Sequence, residues 1–402
     1  MTTSTVPATG AWTTAADLPA PAAWYGQHDG AVLLDDGTVL VAGGVDAAST
    51  AQNTAAVYDP AHNTWQPVGT LHTPRHLHTI TRLPDGKVLV CGGLSGSSTA
   101  GPGLASAEVY DPRTRLWSTT GALGTPRWGH SAILLADGSV LVAGGSTVRS
   151  GPSTTALRSA ERFDPATGRW TAVKDMTDAR TGHTALSLTG GAVLVCGGVA
   201  PVGTADDPAL AFCELYDPTQ GRWTPTGGLL RARRHHQATR ISDSTVLVTG
   251  GTAPGSPGTS PYDPFSQRGA ELYDLTTGVW TAVAQMPSGR AFHRAVPLAD
   301  GRLLAIGGAA SDRDEAGFRS AVIHGAAGTD DAVADVWTPA AGLATGRWAF
   351  AVATLPNGRV LVTGGVSRSG LAAADPTVTE LAVTSEVFAL DDAHTPVTGS
   401  AS

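Results

Sequence analysis

Short apolar runs that end in a Gly-Gly pair recur along the chain, with the first glycine at Gly43, Gly92, Gly144, Gly197, Gly250, Gly307 and Gly364. Runs such as "VLVCGG" and "RVLVTGG" are almost continuously apolar, which predicts strands buried on both faces. A second apolar run precedes each one across a tight turn, as in "SAILLADGSVLVAGG" from Ser131, and this predicts a hairpin through Asp-Gly. Two further strands follow in each unit. The third ends in "YDP", as in "VYDPAHNTW" from Val57, "VYDPRTRLW" from Val109, "RFDPATGRW" from Arg162 and "LYDPTQGRW" from Leu215, loosened to "LYDLTTGVW" from Leu272 and lost in the sixth unit. There the Asp can accept from nearby backbone donors and the Pro blocks further pairing, so the chain turns into a fourth strand that carries a Trp.

The Trp recurs at Trp12, Trp65, Trp117, Trp170, Trp223, Trp280 and Trp337, a period of about 50 residues. Its first copy precedes the first Gly-Gly pair. The chain opens with the fourth-strand sequence "GAWTTAADL" and closes with the third-strand sequence "TSEVFALDD", so its two ends are expected to complete one unit. A sheet buried on both faces fits a blade between two others. The predicted fold is therefore all-β: a seven-bladed β-propeller in which the strand around Trp12 pairs with the strand around Val387. One domain, 1–402, is expected, with blades at about 27–70, 75–122, 127–175, 180–228, 233–285, 290–340, and 347–392 joined by 10–16.

The order R-x-x-H, apolar strand, D-G, apolar strand, Gly-Gly, YDP turn and Trp resembles the kelch repeat over nearly the whole chain. "LPDGKVLVCGG" and "LADGSVLVAGG" are similar to the central propeller of the galactose oxidase type. That resemblance implies the fold and leaves function open, because propellers host unrelated activities. The copper radical chemistry of that type needs Tyr, His and a Cys cross-linked to Tyr, with a further His from a following domain. Cys91 and Cys196 occupy repeat positions where other copies carry Ala or Thr, and Cys213 starts a third strand, so redox catalysis and a copper cofactor are not expected.

Composition narrows the classes further. Fifty glycines and 26 prolines suit an all-β chain with many tight turns, and three cysteines make no disulfide framework. A reducing, cytoplasmic setting is inferred from that cysteine use. The start "MTTSTVPATG" does not read as a signal peptide, and no segment is apolar for long enough to span a bilayer as a helix. A net charge of -8 argues against a nucleic-acid surface. A monomer without membrane or nucleic-acid partners is expected.

In an antiparallel meander the turns alternate between the two ends of a blade. The tight turns share one face, and the loops after Gly-Gly, such as "LSGSSTAGPGLASA" from Leu94 and "VSRSGLAAADPTVTELAVTS" from Val366, share the other. Long varied loops on a rigid ring are where binding residues usually sit. The Arg of R-x-x-H, at Arg75, Arg127, Arg180, Arg233, Arg290 and Arg347, would begin an inner strand on this face. Singly, each is better read as a tie to backbone carbonyls or nearby Asp and Glu; as a ring, they are expected to touch an anion, which Arg holds bidentately. Their partners His78, His130, His183, His236 and His293 read as buried groups pointing between blades, with ring nitrogens bonded to backbone.

Residues that break the period are better site candidates. These are Trp24 and Tyr25 in the irregular first blade, His76, Trp128, Arg234, His235, Phe292 and Trp348. They could line an aromatic mouth or plug the channel. In the sixth blade Asp312, Asp314, Glu315, Asp330 and Asp331 with His324 match no calcium-loop spacing and read as solvated loop residues, so no metal is assigned. No nucleophile elbow, Walker loop, zinc motif or dinucleotide fingerprint occurs. The expected function is binding of a small anionic or polar molecule, or of a protein segment, at the long-loop face and its Arg- and aromatic-lined mouth, without a cofactor. The alternative is a non-redox, cofactor-independent isomerase, cyclase, lyase or hydrolase using the same mouth, with catalytic residues unknown.

Overall fold

Each apolar run before Gly-Gly becomes the second strand of a four-stranded antiparallel sheet and is buried along its length, as at Val39–Ala42, Val88–Cys91, Val140–Ala143, Val193–Cys196, Leu303–Ile306 and Val360–Thr363. The computed structural model describes residues 10–26, 30–96, 103–148, 154–200, 208–253, 266–310, 316–325, 335–375 and 377–391. Among them are seven such sheets and two small hairpins. Strand order follows the chain: in blade three, Ser131–Leu134, Val140–Ala143, Ala160–Asp164 and Arg169–Ala172 run from the axis outward. First strands of neighbouring blades pack on one another and line the axis. Among the described residues no helix is long and apolar enough to cross a membrane.

The seventh blade is assembled from both ends of the described chain. Ala11–Ala15 pairs antiparallel with Ser385–Ala389, Trp12 lying opposite Phe388 and Thr13 opposite Val387. Gly10 N–H donates to Asp391 Oδ2 at 2.8 Å and Leu18 N–H to the Val383 carbonyl at 2.8 Å, so both flanks of this strand are fastened too. The expected seven-bladed, end-to-end closed propeller is the observed fold.

The core lies between blades, not within a single layer. Leu40, Ala42 and Val57 of blade one meet Val88, Val90, Tyr110 and Trp117 of blade two in one buried cluster. At the rim each Trp ring packs beside the aromatic of its own third strand, from Tyr216–Trp223 at 4.9 Å to Tyr58–Trp65 at 5.2 Å between centroids. In six of the seven, Nε1 then crosses to the preceding blade: Trp170 donates to Gly121, Trp223 to Lys174, Trp280 to Gly227, Trp337 to Ala284 and Trp12 to Ala341, each at 2.8 Å, and Trp65 to Ala16 at 3.1 Å. In blade six the aromatic position falls to His324, which is buried 4.8 Å from Trp337. His324 is thus part of the rim packing. The acids named with it, Asp312, Asp314, Glu315, Asp330 and Asp331, lie outside the described residues.

Gly-Gly is required by a close approach. Gly144 has φ +65°, and a Cβ there would stand 2.6 Å from the Arg180 carbonyl of the next blade; its neighbour Gly145 donates to that same carbonyl at 2.8 Å. Equivalent bonds run from Gly44 to Arg75, Gly93 to Arg127, Gly198 to Arg233, Gly251 to Arg290, Gly308 to Arg347 and Gly365 to Ala22. Seven backbone stitches of this kind join every blade to its successor.

Candidate functional site

The six arginines do not form an axial ring open to an anion. Arg75, Arg127, Arg180, Arg233, Arg290 and Arg347 are each 0% exposed. In every case Nη1 donates to the carbonyl of the first glycine of Gly-Gly in its own blade, as from Arg127 to Gly144 at 2.9 Å, and to a carbonyl just before the third strand, as to Ser159 at 2.9 Å. Nη2 reaches a buried glutamate on that strand: Glu108, Glu161, Glu214, Glu271 and Glu386 serve Arg75, Arg127, Arg180, Arg233 and Arg347. The expectation of an anion contact for the ring is corrected on this ground. All six guanidiniums are sealed inside the sheets, five of them already paired with a carboxylate, so the ring presents no accessible donors to the axis.

Each glutamate also holds the loop that enters its blade. Glu161 accepts from the Gly124 and Thr125 amides at 2.6 and 3.2 Å, and Glu386 accepts from Ala344 and Thr345 at 2.7 and 3.2 Å. The Arg–Glu pair is therefore a brace between loop, second strand and third strand. Blade one has neither member, with Ala22 and Ala56 at these positions. In blade six Arg290 is kept, but Val322 takes the glutamate's place. Burial lowers the Arg290 pKa to about 10.

The repeated histidines lie between blades, as expected, but bond mainly to hydroxyls instead of backbone. His130 Nε2 lies 3.1 Å from Thr79 Oγ1, His183 Nε2 3.1 Å from Ser131 Oγ, His236 Nε2 2.8 Å from Thr184 Oγ1 and His293 Nε2 2.8 Å from Thr249 Oγ1. Each ring rests on the first glycine of the preceding blade's pair, where a Cβ would meet the ring carbon at 2.6–2.8 Å. Phe350 fills this slot against Gly307 in blade seven, and Trp24 fills it against Gly364 in blade one. Trp24 is buried there and donates to the Ala42 carbonyl at 3.1 Å, so it packs blades together and does not line a mouth.

The residue before each of the five histidines, and before Phe350, turns into the left-handed region, at Leu77, Gly129, Gly182, His235, Phe292 and Ala349, with φ between +50° and +60°. Their backbones form a collar around the axis. Gly129 N–H donates to Leu77, Gly182 to Gly129, His235 to Gly182, Phe292 to His235, Ala349 to Phe292 and Trp24 to Ala349. Four of these six positions carry side chains that disfavour this backbone by about 1–2 kcal/mol each. The collar bonds hold them in it.

Above the collar the sequence-selected aromatics do meet. Tyr25 lies 5.3 Å from Trp348 and 6.2 Å from Phe292, ring centre to centre, and His235 stacks on Phe292 at 4.1 Å. Ala23, Val45, Ala291, Ala309 and Val366 complete a buried cluster around them. This is the plug reading, and it closes the long-loop end of the axis. Burial raises the Tyr25 phenol to about 12 and holds His235 well below its ordinary value, so near pH 7 the tyrosine is protonated and the imidazole neutral. Trp128 is buried against Gly103 in the loop of blade two, His76 is buried with its pKa lowered to about 4 by desolvation, and Arg234 is half-buried. These three do not join the plug.

Arg294 is the member that the periodic reading passed over. It is 1% exposed beneath the plug, donating from Nε to the Phe350 carbonyl at 3.0 Å and from Nη2 to Trp24 and Gly26 at 3.1 and 3.3 Å. It thereby ties blade six to blades seven and one where the irregular first blade departs from the collar. Its signal was available: the residue after the repeated histidine is Thr79, Ser131, Thr184 or Gln237 in other blades, and a charge appears there only in blade six. Below Arg294 the axis widens into a cavity of about 560 Å³ lined by Ile80, Ala185, Ala238, Ala295 and Val352 and opening toward the tight-turn face past Arg240 and Thr354.

The long-loop face carries a built element of its own. The loop of blade seven forms a hairpin, Val366–Arg368 with Glu380–Leu381, capped by a single 3-10 turn at Gly370–Ala372. Gly317 of blade six donates to its Ser367 carbonyl at 2.8 Å, and its Thr379 donates to Ala47 of blade one at 3.3 Å. Leu371 on the turn is 81% exposed, with Val378 and Val383 also exposed.

A family model for the Kelch motif matches residues 28–72, 83–122 and 127–177. Kelch-like protein 34 of Homo sapiens is 30% identical over 199 residues, covering 48% of this chain and 29% of that protein. Alpha-scruin of Limulus polyphemus is 25% identical over 259 residues, 64% of this chain and 27% of its own length. The chain thus spans less than a third of these curated relatives. A solved fungal alcohol oxidase of the AA5 family, in complex with copper, aligns with TM-score 0.69 and 18% identity over 95% of this chain and 76% of its own. That likeness is one of fold. Among the described residues the cysteines serve the blades instead of a cysteine-tyrosine copper site: Cys91 lies 3.2 Å from Thr79 Oγ1 and Cys196 opposes Cys213 inside blade four, while Tyr25 packs on Phe292 and Trp348.

Proposed function

We propose that this kelch-repeat β-propeller, which resembles the central domain of the galactose oxidase type, is a recognition module that binds a protein segment on its long-loop face. The observation that carries this reading is the hairpin of blade seven. It holds Leu371 and Val378 out of the ring while fastened to the blades on both sides. An apolar tip already fixed by backbone bonds loses little conformational freedom on binding, so its burial contributes more of its transfer free energy to affinity. With the arginine ring spent inside the blades and the axis plugged above, the loops are the part of this face left to meet a partner.

Charge supports a protein segment over a free anion. Among the described residues eight arginines, the ring six with Arg294 and Arg302, and five glutamates are buried, so the formal charge left outside them is more negative than -8. A neutral or basic segment with apolar anchors suits that field, and opposite charge raises its association rate.

A displayed peptide library selected on the immobilised protein, then titrated against a Leu371→Asp/Val378→Asp variant, tests the reading. Selected peptides are expected to bind the variant at least tenfold more weakly while its melting curve stays unchanged. Peptides that bind both proteins equally would place recognition elsewhere.

A further inference from the structure

The seven blades act as internal controls for one another at the Arg–Glu brace. Five carry both residues, and blade one carries neither. Blade six alone buries the arginine, Arg290, without the glutamate. Nη1 keeps its carbonyls, Gly307 at 2.9 Å and Ser320 at 3.2 Å, while Nη2 finds only two hydroxyls, Ser288 Oγ at 3.3 Å and Ser320 Oγ at 3.2 Å. Among the described residues no carboxylate pairs with it.

The entering loop has changed in step. Where Glu108 accepts from the amides of His72 and Thr73, blade six has Pro287, which has no amide hydrogen, and Ser288. By register with the other blades, the donors left beside the glutamate position in blade six are Arg290 Nη2, which now meets the Ser288 and Ser320 hydroxyls, and the Ser288 amide. Val322 ends at its γ carbons, short of where a glutamate places its oxygens. Phe318 lies 6.0 Å from the guanidinium and adds an aromatic wall. A buried guanidinium is costly unless a counter-charge meets it.

We propose that blade six binds a small monovalent anion, a halide or a formate-sized carboxylate, against Arg290 Nη2 and Ser288 at the position where five other blades hold a glutamate carboxylate. The bound ion completes the brace and fixes the 287–289 loop on the third strand. This site is separate from the peptide-binding reading above and holds or fails without it.

The test compares melting temperatures of the intact chain in sodium chloride, sodium formate and sodium gluconate at equal ionic strength. Chloride or formate is expected to raise the melting temperature by about 1–3 °C between 1 and 200 mM, as mass action gives for a site of millimolar affinity. The larger response identifies which anion the site prefers. In Val322→Glu, which supplies its own carboxylate, that rise is expected to vanish. Crystals grown in bromide are expected to show an anomalous peak touching Arg290 Nη2, a readout that stands even if the variant fails to fold. Equal melting in all three salts, or bromide found only at surface positions, overturns the proposal.

Discussion

Arg127 and Glu161 meet at 2.7 Å inside blade three, and between them they account for the backbone of three separate segments. The arginine takes up the carbonyls of Gly144 and Ser159, and the glutamate takes up the amides of Gly124 and Thr125. Neither side chain is exposed enough for water to substitute, since their side chains are 0% and 7% accessible.

Removing one partner leaves a buried charge and several unmet backbone groups. Arg127→Ala or Glu161→Ala is therefore expected to destabilise the fold by about 3–5 kcal/mol. The double variant should cost less than the sum, because the second change removes the charge stranded by the first. Urea titration of the four proteins of this cycle checks it. Single variants within about 0.5 kcal/mol of wild type would mean the pair is solvated and the brace unimportant.

His293 gives a pH dependence with a definite sign. Burial, then the charges of Arg290 and Arg294, hold its pKa well below the ordinary value. The folded protein therefore keeps this imidazole neutral while the unfolded chain takes up a proton below about pH 6.5. The stability it contributes is complete above that pH and is lost as pH falls toward the depressed folded value, by about 1.4 kcal/mol per unit for one proton. His293→Phe copies the residue that blade seven uses in the same slot, Phe350. It is expected to lose about 1 kcal/mol at pH 8, where the Thr249 contact is given up, and to close that gap between pH 6.5 and pH 5. Midpoints of urea unfolding across this range would run parallel for the two proteins if the histidine did not titrate with folding.

The ring was legible because repetition multiplies weak local signals. One "VLVAGG" says little; seven Gly-Gly runs in fixed order with seven Trp residues, and a YDP turn in most units, determine strand order and blade number. The interior role of the arginines was harder to read. Their counter-ions lie on the third strand about 34 residues later, as Glu161 does from Arg127, so the pair becomes visible only when the repeats are stacked in register: "AEVYD", "AERFD", "CELYD", "AELYD" and "SEVFA" share a Glu that blades one and six lack. The plug was half legible. Tyr25, His235, Phe292 and Trp348 announced themselves by breaking the period, but whether they open or close the axis depends on three-dimensional packing across blades. Arg294 stood one residue past a periodic landmark and was passed over for that reason.

Closure makes the sharpest demand on the amino-terminal strand. Ala11–Ala15 pairs with Ser385–Ala389 at five positions, and Trp12 adds its contacts to Phe388 and Ala341, so this strand is a large share of what holds the ring shut. Removing residues 1–16 takes away this strand and bares the edge of Ser385–Ala389, while the neighbouring blade loses the Trp12 indole that donates to its Ala341 carbonyl. A bared edge strand is a template for pairing with another chain. The truncated protein is expected to melt about 5 °C lower or more, in line with losing about 4 kcal/mol or more from a domain of this size, and to self-associate on size-exclusion chromatography. Adding a synthetic peptide of residues 8–18 should restore both properties, because it resupplies the missing strand without a covalent joint. A truncated chain that stays monomeric with an unshifted melt would mean that six complete blades and a three-stranded seventh hold the circle by themselves, and that the strand exchange between the ends is ornamental to stability.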